Sequence, residues 1–430
     1  MSNKRVMLTG DRPTGKLHLG HYVGTLKNRV KLQHDFETYL IIADLHMLTT
    51  KNTREDIANT TQNAIDMVLD SIAAGIDPTI STFYLQSAIP EVCEINTLFQ
   101  NLVTVPRLER LPSLKDMVRD SNKDEMPYGL LGYPVLQSAD ILSLRATMVP
   151  VGKDNLAHVE ITREIARRFN HLYGEYFQEP DSLVGEVPTL VGTDGKAKMS
   201  KSLSNAIFLS DDSATVRKKV QSMYTDPNRV HADIPGTVEG NPVFIYHDAF
   251  NANKAEVEDL KTRYRAGKVG DGEVKEKLYH AIESALNPMR ERRAEYESQP
   301  GLIENIILEG TEKTRAIVKQ TVFDIRKQMG FTAVTNQLRR RVERELKKKV
   351  TMQPKTVKSK KEGTVTTRRF LNILTDCTDV ASHEIRYSII KHLENKDLAS
   401  CIEPVVGIAE MSLVNGAFLN RLIAEACPDE

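Results

Sequence analysis

Short apolar runs alternate with amphipathic stretches through the first half of this chain, and that alternation is the strongest constraint on its fold. Apolar runs bounded by turn residues predict strands at residues 6–9, 38–43, 82–85 and 148–151. A spacing of three or four between apolar residues predicts helices at residues 20–33, 52–74 and 154–169. Strands that alternate with helices are typical of the α/β class, in which helices cover a parallel sheet.

The pattern becomes helical after about residue 210. Amphipathic stretches separated by glycine, proline or asparagine predict helices at residues 214–223, 255–266, 273–299 and 312–329. Beyond them we expect a charged helix at residues 337–349, a flexible linker rich in lysine, threonine and serine at 351–367, and a small helical unit at 370–430. The predicted domains are therefore residues 1–210, 211–330, 331–369 and 370–430.

The formal net charge is zero, but the charge is unevenly distributed. Residues 337–369 contain thirteen lysines or arginines and three glutamates, a net of +10, so the remainder of the chain carries −10. A basic segment on an acidic body favours a polyanionic partner, and a solvated linker is the alternative interpretation.

The cysteines and the hydropathy pattern bear on the compartment. Cys93, Cys377, Cys401 and Cys427 have neither metal-ligand nor disulfide spacing, which is typical of reduced thiols in a cytoplasmic protein. No run approaches the eighteen or so apolar residues of a membrane span, and the N-terminus leaves no room for a signal peptide. We expect a cytoplasmic protein without a membrane partner.

A loop between the first strand and the first helix carries two histidines. Residues 13–21 read Pro-Thr-Gly-Lys-Leu-His-Leu-Gly-His. In an open α/β sheet, ligands bind at the carboxyl ends of the strands, where helix N-termini point N–H groups at anions. Gly20 would let a flat adenine approach the backbone, and His18 and His21 could donate hydrogen bonds to phosphate oxygens. Two ordinary histidines near a loop are the alternative.

A second segment, Lys-Met-Ser-Lys-Ser at residues 198–202, follows Gly-Thr-Asp-Gly and is predicted to be a mobile loop. Its two ammonium groups, on Lys198 and Lys201, could reach the β- and γ-phosphates of a nucleotide and stabilise departing pyrophosphate. A solvated basic loop is the alternative. The two segments together resemble the signature sequences of class I aminoacyl-tRNA synthetases, in the same order and about 180 residues apart.

Asp140 falls within an apolar helical stretch between these segments. A buried carboxylate is costly unless it has a partner or awaits a ligand. An indole has one N–H donor and no acceptor, so a single carboxylate in an apolar slot suits it. A helix N-cap or a salt-bridged structural aspartate is the alternative interpretation.

Residues 128–142 and 149–160 resemble the tryptophan-pocket region of bacterial tryptophanyl-tRNA synthetases, and the likeness extends over roughly residues 5–330. The resemblance implies a Rossmann-type catalytic domain at residues 1–210, a helical anticodon-binding domain at 211–330, and a homodimer. It also implies a reaction in two steps. L-tryptophan and ATP give tryptophanyl-adenylate and pyrophosphate, and the tryptophanyl group then passes to tRNA(Trp).

The resemblance assigns the site residues to three groups. The residues expected to carry catalysis are Thr14, His18, His21, Lys198 and Lys201. The residues expected to bind ATP are Arg12, Pro13, Thr14, Gly20, His21, Gly152, Lys153, Asp154, Val187, Lys198, Met199, Ser200, Lys201 and Ser202. The residues expected to bind tryptophan are Asp140, Tyr133, Gln137, Asn155 and His46. Mg²⁺ would bridge the phosphates of ATP, and no side chain is assigned as a metal ligand.

The chain departs from the family pattern in several places. Many relatives have Thr-Ile-Gly-Asn where residues 18–21 are His-Leu-Gly-His, and Glu-Asp-Gln where residues 153–155 are Lys-Asp-Asn. Asn155 is one methylene shorter than glutamine, which makes its reach to the substrate amino group the weakest assignment. The residues after Gly330 match nothing in the ordinary bacterial enzyme, and tRNA contact, partner docking and a mere appendage are all open for them.

Three other functions are alternatives. A tyrosyl-tRNA synthetase shares the fold, but its familiar Gly-Gly-Ser-Asp-Gln is replaced by Val-Gly-Lys-Asp-Asn at residues 151–155. A nucleotidyltransferase that makes an adenylate without tRNA would need neither a helical module nor a basic tail. A non-catalytic paralogue that binds tRNA or tryptophan is disfavoured by the intact residues Lys198, Lys201, His18, His21 and Asp140.

Overall fold

A computed structural model describes most of the first 352 residues. The described residues are 4–114, 126–152, 155–184, 190–201, 203–226, 229, 231 and 233–352, with side chains as far as residue 345. The chain divides into two units, Met1–Arg341 and Val342–Glu430. The predicted linker beyond Met352 and the predicted helical unit at 370–430 lie outside the described residues.

A parallel sheet forms the centre of the first unit. Within the described residues its strands are β1 (Val6–Asp11), β2 (Glu37–Ile42), β3 (Ser81–Leu85), β4 (Met148–Val151) and β5 (Asp181–Val184). Their order is β3-β2-β1-β4-β5. The α/β class and the four predicted strands are confirmed. β5 was not predicted, because its sequence Asp-Ser-Leu-Val has only two apolar residues and no long apolar run.

The direction in which the strands are added reverses at β1, which lies between β2 and β4. Successive connections leave such a point on opposite sides and open a crevice beyond the carboxyl ends of the strands. Asp11, the last residue of β1, pairs with Ile42, the last residue of β2. The loops after both strands therefore start at the same edge of the sheet.

The alternation of side chains along β2 supplies a core to each face of the sheet. Leu40 and Ile42 belong to one buried cluster, and Tyr39 and Ile41 belong to another. Successive residues of a strand point to opposite faces, so a continuous apolar strand is buried on both sides. The first cluster continues into helices after residue 210, so the sheet and those helices share one core.

Helices cover both faces of the sheet. Those in the sheet region are α1 (Leu19–His21), α2 (Lys27–Leu32), α3 (Asp44–Met47), α4 (Arg54–Ala58), α5 (Thr60–Ala73), α6 (Glu91–Phe99), α7 (Val105–Glu109), α8 (Tyr128–Ser143) and α9 (Leu156–Tyr173). The later ones are α10 (Ser213–Gln221), α11 (Pro242–Phe250), α12 (Lys254–Arg265), α13 (Asp271–Glu297), α14 (Leu302–Gln328) and α15 (Phe331–Met352). No helix of the described part has the length and apolar content needed to cross a bilayer.

Two helices predicted as continuous are interrupted. Between α1 and α2 the backbone is π-helical at Tyr22–Leu26, a geometry found mostly at functional sites. The helix predicted at residues 52–74 is divided at Asn59, whose side chain donates to the Glu55 carbonyl 3.1 Å away. Asparagine competes for backbone groups in this way and therefore favours helix ends. The capping box of Thr53 and Asp56 is present, as its spacing predicts.

Helix α14 begins at Leu302, ten residues before the predicted start, and packs closely on β3. Gly310 lies at the contact: a Cβ on this residue would be 2.0 Å from the Phe83 carbonyl oxygen. Glycine weakens a helical pattern, which explains why the first turns of α14 were not predicted. At this position it permits the backbone of the helix to approach the backbone of the strand.

We predict that Gly310→Ala lowers the free energy of unfolding by about 1–3 kcal/mol, because the methyl group must push α14 away from β3. Gly272→Ala is the matched control, since no atom lies within 4 Å of a Cβ at that position in α13. The control is expected to change stability by less than about 0.5 kcal/mol. Urea unfolding of both variants measures the difference, and equal stabilities would contradict the packing argument.

Candidate active site

A cavity of about 790 Å³ opens at the carboxyl ends of β1, β2 and β4. Its walls come from the ends of these strands, from the loops that follow them and from α8. Seven predicted site residues line it: Arg12, His46, Tyr133, Gln137, Asp140, Gly152 and Asn155. The structure therefore brings together residues that are up to 143 positions apart in the sequence.

Asp140 lies inside helix α8, and its side chain is 4% exposed. Its Oδ2 accepts hydrogen bonds from Gln86 Nε2 at 2.8 Å and from His46 Nε2 at 2.9 Å. A carboxylate has no proton to donate, so His46 carries its proton on Nε2. Asp140 is thus held by a histidine and a glutamine rather than by an arginine.

The second carboxylate oxygen of Asp140 is different. Oδ1 is buried and has no hydrogen-bond partner among the described residues. Burial raises the pKa of Asp140, an effect that the His46 and Gln86 hydrogen bonds oppose. A buried acceptor without a partner is costly, and a ligand that brings one donor into the cavity removes that cost.

Tyr133 and His158 form a polar group on the other side of the pocket. The Tyr133 hydroxyl and His158 Nε2 lie 2.8 Å apart, and the Ser113 hydroxyl lies 2.7 Å from the same nitrogen. The Tyr133 ring also meets the His46 ring edge to face, with centroids 6.2 Å apart. Asn155 caps the start of α9, and its backbone N–H donates to the Gly152 carbonyl at 3.0 Å.

The histidine loop, residues 13–21, is tied to a later segment of the chain. The Leu19 N–H donates to the Ile207 carbonyl, and the Leu209 N–H donates to the Leu17 carbonyl, both at 2.9 Å. His18 and Phe208 form an isolated antiparallel bridge between these two bonds. The backbone around His18 is therefore fixed before any ligand binds.

His18 and His21 lie against each other, with ring centroids 3.8 Å apart. Burial, together with the positive charges of Lys201 and Lys198, lowers the pKa of His18 to about 3 and that of His21 to about 4, although Asp11 opposes the shift of His21. The His18 backbone N–H donates to His21 Nδ1 at 3.2 Å. The neutral His21 ring therefore carries its proton on Nε2, which leaves that N–H for another acceptor.

The lysine loop, residues 198–202, contacts the histidine loop directly. Lys201 Nζ donates to the Gly15 carbonyl at 2.7 Å and to the Thr14 hydroxyl at 3.3 Å. Burial lowers the pKa of Lys201 to about 8, although three aspartates oppose the shift. The Gly20 N–H points at the Met199 sulfur, 3.3 Å away, and a Cβ on Gly20 would be 2.9 Å from His18 Nδ1.

The remaining residues predicted to bind ATP differ in their exposure and in their contacts. Arg12 donates to the Thr50 hydroxyl at 3.2 Å, Pro13 is buried, and Lys198 is exposed. The Ser200 N–H donates to Asn205 Oδ1 at 2.8 Å, which braces the lysine loop. Four predicted ATP-binding residues lie outside the described residues: Lys153, Asp154, Val187 and Ser202.

Sequence reasoning missed several side chains that shape this site. Gln86 follows β3 directly, just as His46 lies shortly after β2, so the rule about strand ends could have found it. Asp11 and Arg29 form a buried ion pair that lines the cavity, and the Arg29 guanidinium also donates to the Gly10 carbonyl at 3.2 Å. Asp11 ends a strand and could have been found in the same way, whereas Arg29 gave no such signal.

Comparison with known proteins identifies the family. Residues 2–287 match the family model described as tRNA synthetases class I (W and Y). The tryptophan–tRNA ligase of Treponema pallidum is 58% identical over 327 residues, which make up 76% of this chain and 97% of the relative. That of Borreliella burgdorferi is 55% identical over 346 residues, or 80% and 99%. This chain belongs to the bacterial tryptophan–tRNA ligases of class I.

A solved member of the family has the same fold. The tryptophanyl-tRNA synthetase of Campylobacter jejuni, in complex with ADP and tryptophan, is 34% identical with a TM-score of 0.66. The match covers 76% of this chain and 99% of that one. Between a fifth and a quarter of this chain lies outside these matches. The match to the Borreliella burgdorferi enzyme covers 80% of the chain, which is more than 330 residues, so it extends past Gly330, where no counterpart is expected from the sequence.

We predict that the two histidines make stability depend on pH. Their folded pKa values, about 3 and about 4, lie below the ordinary value of 6.5. The unfolded chain then binds more protons, so the free energy of unfolding falls as the pH is lowered from 6.5 towards 4. His18→Gln/His21→Asn should show a shallower fall than the wild type in urea unfolding at pH 6.5 and 4.5. Identical pH dependences would rule out the neutral pair.

Proposed function

We propose that the cavity holds tryptophan with its indole N–H on Asp140 Oδ1, and that the two loops beside it hold ATP for adenylate formation. The single observation that carries this proposal is the buried Oδ1 without a partner, next to an Oδ2 that is already satisfied. An indole supplies one donor and needs no acceptor. A phenol hydroxyl needs an acceptor and a donor, which makes tyrosine the poorer fit.

The head group of tryptophan has separate partners in this proposal. Tyr133, Gln137 and Asn155 line the same cavity as Asp140 and offer hydroxyl and amide groups to the substrate amino and carboxylate groups. His46 orients Asp140 and contacts the Tyr133 ring, so it links the indole end of the pocket to the head-group end. The Campylobacter jejuni relative was solved with ADP and tryptophan, which supports binding of an adenine nucleotide and of tryptophan by this fold.

Adenylate formation needs no protein nucleophile. A tryptophan carboxylate oxygen attacks the α-phosphorus of ATP in line, and the bond to the bridging oxygen of pyrophosphate breaks. Negative charge grows on the departing pyrophosphate, where Lys201, Lys198 and the His21 Nε2–H can stabilise it. Neutral imidazoles donate without adding a third and fourth positive charge to a site that already holds two lysines.

The remaining assignments complete the proposal. A ribose hydroxyl of the terminal adenosine of tRNA(Trp) then attacks the adenylate carbonyl, and AMP leaves. Mg²⁺ comes with ATP as part of that substrate and bridges its phosphates. We assign activation to residues 1–210 and anticodon recognition to residues 211–330 of a cytoplasmic homodimer. Tryptophan-dependent ATP–pyrophosphate exchange tests the first step, and charging of purified tRNA(Trp) tests the second.

Lys201→Ala is expected to slow pyrophosphate exchange by about a hundredfold or more, because it removes a cation that stabilises the transition state. Tryptophan affinity should change little, since Lys201 contacts Thr14 and Gly15 rather than the Asp140 pocket. Lys196→Ala is the control: this exposed lysine has no proposed role and should leave the exchange rate unchanged. Equal losses of rate and tryptophan affinity would count against the assigned role.

Asp140→Ala is expected to abolish recognition of the indole N–H. Wild-type protein should prefer tryptophan over its benzothiophene analogue, which lacks that donor, by at least about a hundredfold, because a buried acceptor is otherwise unpaired. The variant should bind both weakly and nearly equally. Gln86→Leu, which removes one bond to Oδ2, should lower tryptophan affinity less. Isothermal titration measures both ligands, and a preference retained in Asp140→Ala would exclude the proposed contact.

A further inference from the structure

The buried carboxylate of Asp70 accepts a hydrogen bond from the backbone of the histidine loop. The Leu17 backbone N–H donates to Asp70 Oδ2 at 2.7 Å. Asp70 belongs to α5, and its side chain is completely buried. Leu17 immediately precedes His18, and its side chain is also buried. A buried N–H is almost always paired in a folded protein, so this bond fixes the Lys16–Leu17 peptide, one residue before His18.

The other carboxylate oxygen of Asp70 is bound by Arg293 of α13, which lies 223 residues later in the sequence. Arg293 of α13 forms an ion pair with Asp70 Oδ1 and reaches Asp66 Oδ1 at 3.2 Å and Glu297 Oε1 at 3.1 Å. The two oxygens of Asp70 therefore have different partners, one an arginine and the other a backbone amide. Breaking such a pair leaves a buried charge, whereas replacing both partners by apolar groups is often tolerated.

Helix α13 also holds the segment on the opposite side of His18. Arg290 donates to the Asp211 carbonyl at 3.1 Å, and the Phe208 N–H donates to Asp211 Oδ2 at 2.8 Å. Phe208 is the residue bridged to His18. Arginines one turn apart on α13 thus contact the Asp211 carbonyl directly and the Leu17 amide indirectly, through Asp70.

The lysine loop is hydrogen-bonded to the backbone of the histidine loop, close to Leu17. Lys201 Nζ donates to the Gly15 carbonyl, two residues before the Leu17 amide. A shift of the peptide at Leu17 would therefore move His18 and the acceptor of Lys201 together. A displacement of about 1 Å can reduce a rate about a hundredfold, even when its cause lies away from the reacting atoms.

We propose that Asp70 and Arg293 are positioning residues for adenylate formation, Asp70 through its bond to the Leu17 amide and Arg293 by orienting the Asp70 carboxylate. Neither residue lines the cavity. The inference rests on the proposed function, since it assigns the ATP step to the loops that this pair holds. The positioning role requires an acceptor for the Leu17 N–H, but it does not require the buried charge of Asp70.

Two double variants separate the acceptor from the charge. Asp70→Asn/Arg293→Met removes both charges but keeps a side-chain oxygen for the Leu17 N–H. Asp70→Leu/Arg293→Met removes both charges and the acceptor. Arg229→Met/Asp271→Asn is the matched control, because it removes the ion pair of another buried arginine, which also donates to the Ile234 and Val269 carbonyls.

The measurements are kcat and the KM for ATP in tryptophan-dependent pyrophosphate exchange, tryptophan affinity, and the midpoint of urea unfolding. The leucine variant should lose about tenfold or more in kcat with unchanged tryptophan affinity, and the asparagine variant should stay within about threefold of wild type. The control should lower the unfolding midpoint without changing kcat. Equal kcat values in the two double variants, whether high or low, would overturn the proposal.

A single variant covers the case in which the leucine variant does not fold. Asp70→Glu keeps the charge and the acceptor but moves the carboxylate by one methylene, so it should fold and still lose about tenfold in kcat. A wild-type kcat in Asp70→Glu would overturn the positioning role. Absence of pyrophosphate exchange in the wild-type protein would instead refute the proposed function itself.

Discussion

Only one of the two Asp140 carboxylate oxygens accepts hydrogen bonds from the described residues, and the rest of the site depends on this constraint. A carboxylate inside an apolar helix is costly, and the structure meets that cost for one oxygen only. The two donors stand beyond neighbouring strands, His46 after β2 and Gln86 after β3. Their positions follow from the parallel sheet, because it gathers the ends of both strands at one edge. Among the described residues, both donors reach Oδ2, and Oδ1 is left without a partner.

Two lysines and two neutral histidines lie together where the lysine loop meets the histidine loop. The buried histidines stay neutral, since burial and the nearby lysines lower the pKa of both rings. Lys201 keeps its proton at neutral pH in most molecules, with a pKa of about 8, and lies on the backbone of the histidine loop. Hydrogen bonds from Lys201 therefore hold the lysine loop against the histidine loop without bound phosphates.

The helices after residue 210 contribute both to the core beneath the sheet and to the contacts around the histidine loop. They complete the buried cluster on one face of the sheet, and two arginines of α13 contact Asp70 and the Asp211 carbonyl, which hold the backbone around His18. The helices of the second part thus brace the histidine loop of the first.

The sequence by itself determined the periodic elements and the local motifs. Four strands, most helices, the capping box at Thr53 and the two family segments were readable, because each depends on residues near one another in the chain. The tertiary structure alone decided which distant residues meet. Gln86 and Asp140 are 54 positions apart, and Arg293 and Asp70 are 223 apart. No local pattern specifies such pairs, since their partners are chosen by how the sheet and α13 pack.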